Sequence, residues 1–465
     1  MRRFDADARP VGDERELDPR VVDRTGLVAR APAVDAAVPD ATPRGGAHPR
    51  FWGRPDAAAP AARVAAARRR LAHVSSVVTS TSPSPPRAVV VVGGMVLDVT
   101  ARPSPGQPLR RGSSTPGRVI QTPGGVGRNI AEGILRVSPP GAAPPLLISA
   151  VGDDLAGRAL VGAWTDLGGS SDAIRVVGGA STPVVAAVLD GDGEVAASVA
   201  DTVTAERDID PSWIASHARR IANAAAVVLD GNCSPAALAA AAAAATENGA
   251  GGNDDGVRRT PLVWFEPVSV AKSTRAGEAG ILSRVDFVSP NVAELRAMAA
   301  DVRARERAAT QSAAAAASVS SAPDGEYASA RAAANATARD AETLLRAGVG
   351  RVVLTLGSLG VLVCERNPDG DGARRLHLPA LPATVRSVVG AGDALVAGCV
   401  AALSAGRSAE EAVAIGVAAA RRAVESDENV GAGGGGTGTE ALEADARVVR
   451  RGASAVTVTA TRGGS

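Results

Sequence analysis

An α/β fold, with a mostly parallel central sheet flanked by helices and a small β lid, is predicted by three observations. Short runs of Val, Leu and Ile recur between residues 88 and 364 without polar interruption, as expected of strands buried on both faces. Helix-length segments separate most of them, the alternation that defines a parallel sheet. One stretch breaks this rhythm: Thr182–Ala200 has two alternating apolar runs around Asp190-Gly191-Asp192-Gly193, a hairpin signal that places a lid on the body.

In chain order, residues 1–86 are rich in Arg, Ala, Pro and Asp, show no period, and read as a disordered extension. The Arg- and Ala-rich start hints at an organellar leader, but Asp5, Asp7, Asp13, Glu14 and Glu16 are too acidic for one. Order begins at Ala88, where AVVVVGG predicts the first strand. Further strands are expected at 145–151, 225–229, 261–265, 285–288, 351–356 and 360–364, with helices at 126–136, 155–167, 235–246, 292–300 and 338–347. Low-complexity segments at 248–257 and 303–335 read as surface insertions. The expected body therefore spans 87–431. A tail over 432–465, entered through a glycine run, shows no clear period and is assigned no site.

Composition narrows the function classes. The 465 residues carry 50 Lys+Arg against 49 Asp+Glu, a formal net charge of +1, which argues against a basic nucleic-acid face or a polybasic membrane patch. With Trp 4, Phe 4 and Tyr 1, aromatic platforms for single-stranded nucleic acid are not expected. Cys233, Cys364 and Cys399 lie far apart and read as structural thiols, and no Cys/His spacing fits a zinc site. No apolar run is long enough to cross a membrane.

The chemistry concentrates in five stretches. In SVVGAGDALVAGCVAALSA, from Ser387, glycines lead into an apolar helix. The free N–H groups and positive dipole end of such a helix form an anion site, with Asp393 either its N-cap or a functional carboxylate. TPGGVGRNIAEGILR, from Thr122, places Gly124, Gly125 and Gly127 ahead of Asn129 and a helix, matching neither the P-loop nor the dinucleotide fingerprint. Asp98 is expected just past the first strand, at the edge where open α/β sheets bind ligands. Asn291 and Glu294 in SPNVAEL are spaced as a capping pair. In VVLTLGSLGV, Thr355 ends a strand and Gly357 and Gly360 form a hairpin turn.

Taken in order, GGMVLD, TPGGVGRN, the hairpin, SPNVAEL, LTLGSLG and VVGAGDA resemble the ribokinase-like, or PfkB, family of sugar and nucleoside kinases over about Ala88–Glu425. The hairpin sequence and VWFEPVSVAKS (Val263–Ser273) are most similar to the branch acting on the nucleoside pseudouridine. The resemblance implies a ribokinase-like fold and transfer of the ATP γ-phosphate to a 5′-hydroxyl. It implies Asp393 as the base, with Gly390, Ala391 and Gly392 as the anion hole. Asp98, Gly124, Gly125, Asn129 and Asn232 would bind the nucleoside or sugar. Asn291, Glu294, Thr355, Gly357 and Gly360 would serve the nucleotide, Glu294 organising Mg²⁺ indirectly. Ser387-Val388-Val389 stand where the family often has a polar residue and Thr, which leaves potassium activation open. Glu266 and Lys272 receive no role.

Two alternatives stand beside this reading: a family kinase for ribose, adenosine or fructose, or a catalytically silent assembly subunit. The hairpin's alternation would suit a homodimer interface or a lone lid equally. The cytosol is the expected compartment. Arg70-Leu71 and Val77-Val78 match a peroxisomal signal only in part, without its terminal His-Leu.

Overall fold

The computed structural model describes residues 86–247, 260–310, 327–367, 372–426 and 437–458. Residues 1–85 of the N-terminal extension, the 248–257 insertion and the 431–436 glycine run lie outside the described residues.

Among the described residues fourteen strands form two sheets. The strands are β1 (Val89–Val92), β2 (Val96–Pro103), β3 (Gly117–Gly124), β4 (Leu146–Gly152), β5 (Ile174–Val177), β6 (Val184–Leu189), β7 (Val195–Asp201), β8 (Ala226–Asp230), β9 (Leu262–Glu266), β10 (Phe287–Val288), β11 (Arg351–Thr355), β12 (Val361–Arg366), β13 (Ala373–Leu378) and β14 (Ser454–Ala455). The large sheet has the order β14-β13-β12-β11-β10-β9-β8-β1-β4-β5. From β5 to β11 every pairing is parallel, and the last three strands continue antiparallel.

Alternation along β1 explains why its sequence is unbroken valine. Val90 and Val92 enter a core on one face, while Val89 and Val91 enter a second core on the other. Among the described residues eight long helices cover these faces: α1 (Val126–Val137), α2 (Leu155–Asp166), α3 (Pro235–Glu247), α4 (Val292–Thr310), α5 (Ala330–Arg346), α6 (Ala391–Ser404), α7 (Ala409–Val424) and α8 (Thr437–Arg451). Cores of α3, α4 and α5 lie on one side, those of α1, α2, α6, α7 and α8 on the other. Helices α6 and α7 meet through small residues: a Cβ at Gly398 would stand 2.9 Å from Gly416 Cα. The three cysteines are buried and unpaired, and burial pushes each thiol upward. None of the described helices is long and apolar enough to cross a membrane.

The structure departs from the sequence expectation in three places. The lid is a four-stranded sheet of order β3-β2-β6-β7 rather than a lone hairpin, and Asp98 lies within its strand β2. Strands β2 and β3 carry Arg, Pro and Gly, β2 being mostly half-buried and β3 mostly exposed, so no clean alternation marks them. Secondly, the 303–335 segment is helical at both described flanks, because Ala and Arg favour helix: α4 runs on to Thr310 and α5 starts at Ala330.

Thirdly, the tail belongs to the body. Helix α8 buries Leu442, Ala446 and Val449, and β14 adds to the sheet beside β13. Three apolar residues among many charges make too sparse a stripe to declare the period. A carboxylate at Val449, which is 1% exposed, would sit unpaired in the core. Val449→Asp is therefore expected to destabilise the fold by more than about 3 kcal/mol in denaturant melts. Near-wild-type stability would mean that α8 is only loosely attached.

Candidate active site

The loops after β1, β8, β9, β10 and β11 all open at the carboxyl edge of the parallel strands. From β1 the chain runs outward to β4 and β5. It then returns to β8 on the other side of β1 and runs outward again through β9, β10 and β11. The order thus reverses between β1 and β8, the switch point at which open α/β sheets form a ligand crevice.

Helix α6 points its N-terminus into this region. Gly390 precedes it in the left-handed conformation (φ 79°), and a Cβ at Gly392 would meet nothing within 4 Å, so a ligand can approach the first turn closely. Asp393 stands in that turn, half-buried, and its Oδ2 accepts a 2.8 Å hydrogen bond from Asn129 Nδ2. This contact joins the two strongest sequence motifs across 264 residues. Burial pushes the Asp393 carboxyl up to about 7; the Asn129 hydrogen bond opposes this, while nearby Asp230 and Asp98 add to it.

Asn129 is placed by the glycine turn ahead of α1. Gly125 caps this helix with φ 94°, and a Cβ there would stand 2.5 Å from Gly94 O. Neighbouring Arg128, which sequence reasoning passed over, is 4% exposed, ion-paired with Glu132 at 2.6 Å, and directs Nη1 to Pro123 O (3.1 Å) and Asn129 Oδ1 (3.4 Å). It orients the amide that holds Asp393.

Asp230 was also missed. This fully buried carboxylate ends β8, and its Oδ2 accepts from Gly94 N (3.0 Å) and Gly127 N (3.1 Å). Its Oδ1 accepts from the backbone N and the Nδ2 of Asn232, each at 2.8 Å. The Asn232 Oδ1 in turn accepts from Lys272 Nζ. Asn232 was expected among the nucleoside ligands, and its amide is here held at both ends by protein groups.

The EPVS segment makes a tight corner after β9. Val268 has φ 69°, costly for a β-branched residue, and Ser269 N donates to Pro267 O at 2.8 Å in a γ-turn. Glu266 Oε1 accepts the Val268 N–H at 3.3 Å, and Ser289 Oγ donates to Glu266 Oε2. Ser289 also accepts from Trp264 Nε1 at 2.7 Å. Burial holds the Glu266 carboxyl well above its usual range, with Asp393 and Glu294 pushing the same way.

After β10, Asn291 and Glu294 form a reciprocal cap on α4: Glu294 N donates to Asn291 Oδ1 and Asn291 N to Glu294 Oε2, both at 2.9 Å. Burial raises the Glu294 carboxyl. Thr355 lies beside this cap, its N–H donating to Pro290 O at 2.9 Å, and Gly357 (φ 57°) and Gly360 (φ 93°) shape the turn into β12. Among the described residues no three His, Cys, Asp or Glu side chains assemble into a metal cage. A donor set of one carboxylate suits Mg²⁺, which usually takes one or two carboxylates and completes its shell with phosphate oxygens and water.

An anion-binding helix head carrying a hydrogen-bonded carboxylate, set at the switch point of a parallel sheet, defines a phosphotransferase-type site. Residues 87–430 match the family model described as pfkB family carbohydrate kinase, and the chain belongs to that family. It is 33% identical over 362 residues to a pseudouridine kinase of Arabidopsis thaliana, covering 70% of this chain and 87% of that protein. It is also 27% identical over 311 residues to a pseudouridine kinase of Escherichia coli (strain K12), covering 67% and 82%. The structure of Arabidopsis thaliana ribokinase complexed with ribose and ATP superposes with a TM-score of 0.57 at 19% identity, covering 77% of this chain and 98% of that one.

Proposed function

We propose that this chain transfers the γ-phosphoryl group of ATP to the 5′-hydroxyl of pseudouridine. The observation that carries the reaction type is Asp393, held by Asn129 in the first turn of α6. The kinase relatives and the EPVS segment support the substrate. In the reaction a bond forms between the 5′-oxygen and the γ-phosphorus, the bond from that phosphorus to the β-bridging oxygen breaks, and ADP leaves. The hydroxyl proton passes to Asp393. Its carboxyl, poised at about 7, is a stronger base than an ordinary aspartate. Asn129 occupies one carboxylate oxygen and leaves the other for that proton.

Gly390, Ala391 and Gly392 present the α6 N-terminus to the charge that develops on the transferring group. Asp98, Gly124, Gly125 and Asn129 line the acceptor side, with Asn232 behind them. Thr355, Gly357 and Gly360 shape the nucleotide side with Asn291. Glu294 would organise Mg²⁺ indirectly, and the metal, when bound, would supply neutralisation of phosphate charge.

The test is ATP- and Mg²⁺-dependent phosphorylation of pseudouridine beside uridine, adenosine, ribose and fructose. The highest kcat/KM is expected for pseudouridine. A different winner would keep the kinase and replace its substrate, and no turnover with any acceptor would favour a silent assembly subunit. The lid's exposed Val119, Ile120, Val195 and Val199 also support pairing of two chains through it. Sedimentation should show a dimer that Val199→Asp weakens; a monomeric wild type would dismiss the pairing.

A further inference from the structure

We propose that Asp230 is the positioning residue of the acceptor side, clamping the two glycine turns of the switch point together and, through Asn232, tying them to Lys272 of the EPVS corner. This inference rests on the kinase reading above for its kinetic part.

The geometry is that of a single carboxylate serving three distant segments. Gly94 lies 136 residues away along the chain and Gly127 lies 103 away, yet both donate their backbone N–H to the same Oδ2. The remaining oxygen takes both N–H groups of Asn232, whose own oxygen accepts from Lys272. Space for the carboxylate exists only because its neighbours lack side chains. A Cβ at Gly93 would stand 2.6 Å from Asp230 Cβ and Oδ2, and a Cβ at Gly127 would stand 2.6 Å from Gly93 Cα.

Each clamped turn launches a proposed acceptor ligand. Gly93-Gly94 leads into β2 and Asp98, while Gly125–Gly127 starts α1, which carries Asn129 and through it Asp393. Asp230 itself is 0% exposed, and so acts on the acceptor only through these turns. Lys272 anchors the outer end: the strained corner at Val268 delivers the short helix Val270–Ser273, on which it stands. The nucleotide-side residues Asn291, Glu294 and Thr355 make none of these bonds. A clamp of this kind should therefore act on the acceptor and leave ATP alone.

Asp230→Asn puts an amide N–H against N–H donors and breaks part of the clamp without changing side-chain size. With full-length protein, the nucleoside KM is expected to rise at least about 10-fold while the ATP KM stays within about 2-fold. Hydrogen exchange of the ligand-free protein should lose protection over residues 93–98 and 124–129 but not over 351–361. Lys272→Met, which leaves the buried carboxylate in place, should give the same pattern more weakly and covers the case in which Asp230→Asn does not fold. Equal rises in both KM values, or unchanged exchange at the two turns, would overturn the clamp. If wild type phosphorylates no nucleoside, the kinase reading fails while the exchange experiment still decides whether Asp230 holds the turns.

Discussion

Asp393→Asn is expected to lower kcat by about 10²- to 10⁴-fold, the usual contribution of a positioned general base, with nucleoside binding retained. An asparagine keeps the shape of the side chain and an oxygen for the Asn129 N–H, so the 2.8 Å contact can survive while the proton acceptor is lost. The wild-type pH profile should carry the same signature. With the carboxyl at about 7, kcat/KM is expected to fall below roughly that pH as the base protonates. Near-full turnover in Asp393→Asn would remove this residue from the chemistry.

The same carboxylate should cost stability, and the direction follows from linkage. Its folded-state value is raised from 3.8 to about 7, so the folded protein binds the proton more tightly than the unfolded chain. The penalty is absent below about pH 4, grows between the two values, and is complete above about pH 7. Asp393→Asn should consequently raise the melting temperature of the ligand-free protein more at pH 8 than at pH 5. Equal shifts at the two pH values would show that the carboxyl is not buried against Asp230 and Asp98. A stabilised but inactive variant is the expected mark of strain held at a functional site.

What the sequence discloses depends on how local the physics is. Strands such as β1 and β8 are legible because both faces are buried and, apart from Asp230 at the end of β8, every residue is apolar. Strands β2 and β3 are not, since a half-buried β2 beside an exposed β3 does not demand a clean alternation, and exposed residues such as Arg102 and Arg118 interrupt any apolar run. The heads of α1 and α6 are legible through their glycines, which mark close backbone approach within a few residues. Asp230 is illegible for the opposite reason. An aspartate after a strand resembles any loop cap, and the partners that distinguish it come from loops more than a hundred residues away. Lys272 falls in the same class: its motif is conspicuous, but only the fold brings it to Asn232.

Gly125→Ala is the second substitution with a large expected effect, and it tests whether the switch point tolerates any side chain. Two costs coincide there. The residue has φ 94°, a conformation that L side chains rarely adopt, and its Cβ would meet Gly94 O at 2.5 Å, Val96 N at 2.9 Å and Met95 Cα at 3.0 Å. All three neighbours are backbone, so no rotamer change can relieve the contact. Backbone strain and overpacking each cost about 1–3 kcal/mol, so a loss of about 3–5 kcal/mol is expected in denaturant unfolding. Gly106→Ala separates the two costs. Gly106 has a similar φ of 75° with nothing within 4 Å of its Cβ position, and should lose only the conformational part, about 1–2 kcal/mol. Equal losses at the two sites would mean that the Gly94–Gly125 contact opens freely. In that event the acceptor side would not be held rigidly ahead of substrate binding, and its order would have to come from the nucleoside itself.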